Sequence, residues 1–179
     1  MFCSPAASGR YFEKKMTMRN PDKTSATDGY IFNHTMIRVK SLQASMDFYA
    51  HVLGFTPVYR RDFNDDAFTI VYMIANAASD IPQDDALRYQ WILSRPGVLE
   101  LTWNHGTEKQ SAFSYHSGND EPRGFGHLCM VVPDLAAACS RFENMGVSFK
   151  KRPSEGRMKE VAFVLDPDGY WIEILELPH

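Results

Sequence analysis

The chain has 179 residues, of which 44% are hydrophobic, so it can bury one substantial core or two small half-domains that share a sheet. Its 19 basic and 22 acidic residues give a net charge of −3, which lacks the electrostatic signature of a protein that binds nucleic acid or an anionic membrane. No apolar run approaches the roughly 18 residues that a membrane span needs, so we expect a soluble protein.

Two features indicate the compartment. The first 29 residues are rich in Pro, Ser, Lys and Thr and lack the apolar segment and cleavage site of a signal peptide, so we interpret residues 1–29 as a flexible N-terminal extension. The three cysteines, Cys3, Cys129 and Cys139, are odd in number and lack CxxC spacing, which disfavours a disulfide framework or a zinc knuckle. Reduced thiols favour a cytoplasmic location, and we expect Cys129 and Cys139 in the core.

Residues 30–103 predict a βαβββ module. The segment HTMIRV, which begins at His34, has the pattern of a strand. Apolar residues then recur at helical spacing from Leu42 to Leu53, and Gly54 ends the helix. Three further strands are predicted at TPVYRRDF, FTIVYMIA and VLELTW.

Residues 124–179 predict a second βαβββ module, and residues 104–123 form a polar linker loop between the two. The second module contains HLCMVV, a helix from Leu135 that is stopped at Gly146, and then SFKK, EVAFVL and YWIEILEL. The two copies differ in length, since His34 to Glu100 spans 66 positions and His127 to Glu173 spans 46. We place the additional residues of the first copy in the polar segment 76–89, which contains DIPQDD.

The duplication repeats two potential metal ligands in each copy. Each module opens on a histidine, His34 or His127, and ends on a carboxylate among apolar residues, Glu100 or Glu173. In a βαβββ unit the first and last strands can lie side by side, which places the His and the Glu on one face of the sheet. Imidazole and carboxylate ligands suit zinc, nickel, cobalt, manganese or iron. A lone histidine at a strand start is more often a structural hydrogen-bonding residue, and it is the repetition that favours a metal site.

The motifs FNHTMIRVKSLQASMDFYAHVLGF, VLELTWNHGTE, NDEPRGFGHL and DPDGYWIEIL closely resemble the glyoxalase I (lactoylglutathione lyase) family of the vicinal oxygen chelate superfamily. The resemblance covers residues 30–177 and implies an α+β fold of paired βαβββ modules, assembled as a domain-exchanged homodimer with the metal at the subunit interface. It also implies isomerisation of the methylglyoxal–glutathione hemithioacetal to S-lactoylglutathione through an enediolate. By position, His34 and Glu100 of one subunit and His127 and Glu173 of the other match the metal ligands.

The resemblance also assigns substrate contacts, with glutathione as the co-substrate. Glutathione has two carboxylates and a peptide, and the matching positions supply cations and an amide: Arg38, Asn104, Arg123, Lys151 and Arg157. A pocket for the apolar substituent matches Phe63, Ile70, Tyr72, Leu93 and Phe163, for each of which ordinary core packing is an equal alternative. Glu173 is predicted to be the general base, with Glu100 as the partner that serves the other diastereomer.

The identity of the metal and the type of function leave alternatives. The resemblance implies one divalent ion per site. We favour zinc because longer members of the family with additional segments (long-form segments), here around DIPQDD and at the N-terminus, tend to use it. Nickel or cobalt is the alternative, because a histidine at the first ligand position, here His34, often goes with short nickel-activated forms. An iron-dependent extradiol-type dioxygenase of the same superfamily uses two His and one Glu, and the fourth ligand argues against it. A non-catalytic ligand-binding module typically lacks the carboxylates, both of which are present.

Overall fold

The computed structural model describes residues 25–75 and 79–177. The chain separates into two compact units, residues 1–30 and 31–179. The described part of the first unit contains a single turn of 3-10 helix, Ser25–Thr27. The rest of the predicted N-terminal extension, residues 1–24, lies outside the described residues. No helix in the described ranges is long and apolar enough to cross a membrane.

The second unit has eight strands and three α-helices among its described residues. The strands are β1 His34–Val39, β2 Phe55–Phe63, β3 Phe68–Ala75, β4 Val98–Asn104, β5 His127–Val132, β6 Phe149–Lys151, β7 Val161–Leu165 and β8 Trp171–Glu176. The helices are α1 Leu42–His51, α2 Asp85–Leu93 and α3 Leu135–Asn144.

The strands form two four-stranded sheets with the same topology. The first sheet has the order β1-β4-β3-β2 and the second has the order β5-β8-β7-β6. In each sheet the first and last strands of the module pair in parallel, and the remaining neighbours are antiparallel. The predicted α+β fold with paired βαβββ modules is confirmed.

Helix α2 was not predicted. It occupies Asp85–Leu93 and so begins inside the polar segment to which we assigned the additional residues of the first copy. The side chain of Asp84 caps its N-terminus by accepting a hydrogen bond from the backbone N–H of Leu87 at 3.0 Å. Ile92 is fully buried and packs in a small cluster with Val58, Ile70, Tyr72 and Val98 on the first sheet. Tyr89 and Trp91 of α2 pack against the same cluster, so tertiary packing stabilises this short helix.

The main core lies on one face of each sheet, and the helices α1 and α3 contribute to it. Alternate residues of the central strands point into it, as in Leu99 and Leu101 of β4 and Ile172 and Ile174 of β8. The residues between them, including Glu100 and Glu173, therefore point to the opposite face of each sheet. The two core faces share one cluster, and each sheet keeps a second face on which the predicted ligands lie.

A buried carboxyl group joins the two modules. Asp166, in the turn between β7 and β8, accepts a hydrogen bond from the hydroxyl of Tyr49 on α1 at 3.0 Å. The same side chain accepts from the backbone N–H groups of Asp168 and Tyr170 at 3.0 and 2.8 Å. Burial raises the pKa of Asp166 to about 6, although these hydrogen bonds act in the opposite direction.

We expect Asp166→Asn to change how stability depends on pH. The pKa in the folded state, about 6, is above the unfolded value near 4, so the folded protein holds this proton more tightly between those values. The contribution of Asp166 to the free energy of unfolding therefore falls as pH rises from about 4 to about 6, by up to about 3 kcal/mol. Denaturant unfolding of both proteins at a fixed concentration from pH 4 to 7 measures this. A wild-type-minus-variant difference that stays constant across the window contradicts the expectation.

Candidate metal centre

The first ligand pair lies on adjacent parallel strands. His34 is the first residue of β1, and Glu100 is in the middle of β4, where it is the Cα partner of Met36. Nε2 of His34 and Oε2 of Glu100 are 3.2 Å apart. The side chains are 35% and 12% exposed, so the pair is partly shielded but open to solvent on the imidazole side.

The second pair repeats this geometry on the other sheet. His127 is the first residue of β5, and Glu173 on β8 is the Cα partner of Cys129, two residues after His127. Nε2 of His127 and Oε2 of Glu173 are 3.4 Å apart, and the side chains are 42% and 21% exposed. The sequence repeat is therefore also a repeat of register, which presents one Nε2 and one Oε2 per sheet.

An aromatic ring flanks each pair from the third strand of its module. Tyr72 on β3 and Phe163 on β7 are the Cα partners of Glu100 and Glu173. Their ring centroids are 5.4 Å from the His34 ring and 5.5 Å from the His127 ring. Because each ring lies against one side of its imidazole, it restricts the orientation of that imidazole and excludes water from that side.

The carboxylates of Glu100 and Glu173 differ in the hydrogen-bond donors around them. Glu100 accepts a hydrogen bond from the hydroxyl of Thr102 at 3.0 Å. Burial, and then the charge and hydrogen bonding of Glu100, raise the pKa of the Tyr72 phenol far above its usual range. At the corresponding positions beside Glu173 the chain has Leu175 and Phe163, which have no side-chain donor. Glu100 is therefore fixed by hydroxyl groups that Glu173 does not have.

Cys129 is beside Glu173 and was not expected there. The prediction that it is a core residue was wrong, because β5 turns it to the ligand face, where it is exposed in this chain; Cys139 is partly buried against the main core. Although Cys129 is exposed by surface area, the protein around its thiol raises its pKa to about 11, first by desolvation and then through Glu173. The neutral thiol is a weak donor toward the Glu173 carboxylate.

The donor atoms fit a divalent cation when both pairs are combined. Two imidazole nitrogens and two carboxylate oxygens form a set that zinc and other first-row divalent metals accept. Within residues 25–75 and 79–177, no group of three or more His, Cys, Asp or Glu side chains comes together to hold a metal ion. One chain thus presents the four predicted ligands as two separate pairs, which we call the first and second half-sites.

The residues predicted to contact glutathione divide between the two sheets. Arg38 and Asn104 extend the ligand face of the first sheet, each four residues beyond a ligand, and Asn104 Oδ1 accepts from the Tyr115 hydroxyl at 3.2 Å. Arg123 lies in the loop before β5, where its Nε is 3.0 Å from Glu121. Arg157 is exposed in the loop between β6 and β7.

Lys151 has a different environment from the one predicted. Its ammonium group donates to the backbone carbonyls of Arg152, Met158 and Val161 at 3.3, 2.5 and 2.8 Å. An ammonium group has three hydrogens to donate, so these three carbonyls use all of them. In this structure Lys151 holds the β6–β7 loop in place, and a substrate carboxylate would have to replace at least one of these bonds.

The predicted apolar pocket is partly assembled. Phe63, Ile70 and Tyr72 belong to the small cluster on the ligand face of the first sheet, next to α2. Phe163 is on the ligand face of the second sheet beside His127, and Leu93 is exposed at the end of α2. Four of the five pocket residues thus lie at the first half-site, and Phe163 alone of the five lies at the second.

Two residues that support the first half-site were not predicted. Thr102 could have been found from the alternation of β4, which turns residues 100 and 102 to the same face. Asn33 contacts the His34 ring through its side-chain oxygen at 2.8 Å, and no local sequence signal indicates this contact because it depends on α2.

Known proteins share both the sequence and the fold of this chain. The profile of the Glyoxalase/Bleomycin resistance protein/Dioxygenase superfamily matches residues 31–174. A lactoylglutathione lyase of Pseudomonas putida is 54% identical over 84% of this chain and 87% of its own length, and one of Pseudomonas aeruginosa is 47% identical over 84% of each. The solved structure of the trypanothione-dependent glyoxalase I of Leishmania major is 31% identical, has a TM-score of 0.61, and is matched over 82% of this chain and 86% of that one.

The profile match extends across both modules, and its range includes both His–Glu pairs. The named relatives confirm the resemblance drawn from the motifs. The chain belongs to the Glyoxalase/Bleomycin resistance protein/Dioxygenase superfamily.

Proposed function

We propose that the chain is a lactoylglutathione lyase that isomerises the hemithioacetal of methylglyoxal and glutathione to S-lactoylglutathione. The observation that supports this most directly is the repeated register of the two His–Glu pairs, one on each sheet. The relatives at 54% and 47% identity bear the name of this enzyme. A cytoplasmic location stays a prediction, supported by the unpaired thiols of Cys129 and Cys139.

We propose that the complete site forms between two copies of the chain. Each half-site offers two ligands, and the two sheets share a core behind their ligand faces, so the pairs of one chain point away from their common core. Apolar side chains are exposed on both ligand faces, Met36 at 41% and Val131 at 55%, which favours a partner surface there. A two-fold arrangement would join the first half-site of one chain to the second half-site of the other, giving two equivalent sites.

Once bound by His34, Glu100, His127 and Glu173, a divalent cation would supply Lewis-acid stabilisation of the negative charge that develops on adjacent substrate oxygens. The protein must then move one proton between neighbouring carbons. We assign this to Glu173 because hydroxyl groups hold Glu100, whereas the side chains that flank Glu173 are Phe163, Leu175 and the weakly donating Cys129. A carboxylate with fewer fixed donors can rotate between the two carbons, and Glu100 would serve the other diastereomer.

Substrate binding in this proposal uses the cations around the half-sites. Arg38 lies four residues beyond His34 on the same exposed face of β1, and Arg123 and Arg157 lie in loops that flank the second half-site. Arginine is suited to the carboxylates of glutathione because its guanidinium group can donate two parallel hydrogen bonds. Asn104 would offer an amide to the peptide, and Lys151 would contribute after releasing a loop carbonyl.

A spectrophotometric assay tests the proposed function. Purified chain loaded with a divalent metal is mixed with methylglyoxal and glutathione, and formation of the thioester is followed in the near ultraviolet. We expect the signal to require all three components and to disappear after chelation. A metal-loaded, folded chain that forms no thioester with glutathione would refute the assignment.

We expect zinc to restore the activity of the stripped protein, with nickel or cobalt as weaker substitutes. The reason is that α2, one of the long-form segments, packs on the ligand face of the first sheet and shapes the site beyond the identity of a single ligand. Turnover and bound metal are measured after reconstitution with each ion at equal occupancy. Maximal activity with nickel alone would overturn the choice of zinc.

A further inference from the structure

The side chain of Asn33 connects the end of α2 to a proposed metal ligand. Its amide nitrogen is 2.9 Å from the carbonyl oxygen of Ile92, 3.2 Å from that of Leu93 and 2.7 Å from that of Arg95. Its amide oxygen is 2.8 Å from Nδ1 of His34. One half-buried side chain therefore contacts three carbonyls of the α2 terminus and the imidazole of the ligand.

The three carbonyls determine which way the amide points. A carbonyl oxygen can only accept hydrogen bonds, so the NH2 group of Asn33 must face it, and the two amide hydrogens are shared among three acceptors. The last carbonyls of a helix lack the usual partner one turn further on; the Ile92 oxygen accepts from the backbone N–H of Arg95 at 3.2 Å, and Asn33 adds a side-chain donor to it. With the nitrogen fixed on the helix side, the oxygen of Asn33 must face His34.

The orientation of the amide in turn determines the tautomer of His34. The amide oxygen is only an acceptor, and it lies 2.8 Å from Nδ1, nearer than Oε2 of Glu100 lies to Nε2, so this contact favours a neutral His34 that holds its ring proton on Nδ1 and donates it to Asn33. The lone pair is then on Nε2, the nitrogen that faces Oε2 of Glu100 at 3.2 Å. This is the nitrogen that a cation shared with Glu100 would bind.

The segment from Asp80 to Arg95, which contains α2, is held in place by its own contacts, so the position of the C-terminal end of α2 is fixed. Asp80 accepts from Arg95 at 2.9 Å and from the indole of Trp91 at 3.3 Å, which joins the two ends of the segment. Ile92, whose carbonyl faces Asn33, has a fully buried side chain.

Within residues 124–177 of the second module, no residue takes the place that Asn33 has beside His34. The residue before His127 is Gly126, which has no side chain, and the register of the two modules is otherwise the same. The contact is thus a feature of the first half-site, and it uses the α2 segment that only the first module carries.

We propose that Asn33 is a positioning residue through which the C-terminal end of α2 holds His34 in the Nδ1-protonated tautomer, with Nε2 ready for the metal. This inference rests on the proposed role of His34 as a ligand, but its first test does not. In the metal-free wild-type protein at a pH where His34 is neutral, long-range proton–nitrogen NMR of the imidazoles reports which nitrogen is protonated. A His34 protonated on Nε2 overturns the proposal, whether or not the chain is a lyase.

Two variants separate the two halves of the contact. Asn33→Ala removes the acceptor and the donors, and Asn33→Asp keeps an acceptor for Nδ1 but loses the donors to α2. We expect Asn33→Ala to move His34 toward the Nε2-protonated tautomer and to weaken zinc binding, measured by competition with a chromophoric chelator, by about 10- to 100-fold. Asn33→Asp should retain the Nδ1 proton and bind zinc more tightly than Asn33→Ala, while both variants lose amide-exchange protection at the end of α2.

A matched control is available near the other histidine. The amide of Asn119 donates to the carbonyl of Gly126 at 2.7 Å, directly before His127, without a contact to the imidazole ring. Asn119→Ala should leave the imidazole signals and the zinc affinity unchanged. An Asn33→Ala protein that keeps both the wild-type tautomer and the wild-type zinc affinity refutes the positioning role. Equal loss of zinc affinity in Asn33→Ala and Asn33→Asp, with the tautomer unchanged, also refutes it.

Discussion

Glu173→Gln should keep the fold and lose most of the turnover, by about 10²- to 10⁴-fold in kcat, which is the usual contribution of a positioned general base. The amide has nearly the same shape as the carboxylate and retains an oxygen that can bind a cation, but it cannot accept the substrate proton. The loss should therefore fall mainly on kcat rather than on KM. Steady-state kinetics at matched metal occupancy measure the effect.

Glu100→Gln provides the comparison that separates proton transfer from metal binding. Glu100 and Glu173 have the same place in their modules, so losing either charge should weaken metal binding similarly. If Glu173 is the base for the diastereomer that is tested, its variant should lose much more turnover per bound metal. Glu143 on α3 forms an exposed ion pair with Arg152, and Glu143→Gln serves as the surface control. Near-wild-type turnover of Glu173→Gln would refute the assignment of the base.

The regular elements of the fold were predictable because their hydrophobic periods are local. The β1, β3 and β5 segments were predicted with the bounds that the structure has, because each is a continuous run of strand-forming residues. Helix α2 was not, because it begins inside a segment that we interpreted as a polar insertion, and its stability depends on Ile92 reaching a cluster formed by distant strands.

The candidate site shows the same division between local and distant information. The four residues that we propose as ligands could be predicted because the duplication repeats them, and the structure pairs them within each module at 3.2 and 3.4 Å. The contacts that distinguish one half-site from the other were missed, as was the environment of Cys129. Asn33 reaches the α2 carbonyls across about 60 positions of sequence, and such a contact follows from tertiary packing rather than from a motif.

Mixing two inactive variants should restore activity if the site lies between two chains. His34→Ala and Glu173→Ala each remove one ligand from every site of a homodimer. In a heterodimer of the two, one site combines both altered half-sites, and the other combines two intact half-sites. With random exchange about half of the molecules are heterodimers with one working site, so the mixture should reach about a quarter of the wild-type activity. Turnover and metal content are measured after subunit exchange, which is verified with differently tagged chains.

Two other mixtures distinguish this arrangement from sites built within one chain. His34→Ala mixed with Glu100→Ala should stay inactive, because both changes lie in the first half-site and every heterodimer site then carries one of them. A chain carrying both His34→Ala and Glu173→Ala, exchanged with the wild type, should give inactive heterodimers, since each site receives one altered half-site. Sites within single chains predict the opposite for that last mixture, because the wild-type chain would keep its own site. Recovery in the first mixture together with inactive heterodimers in the other two therefore requires that each site takes its ligands from two chains.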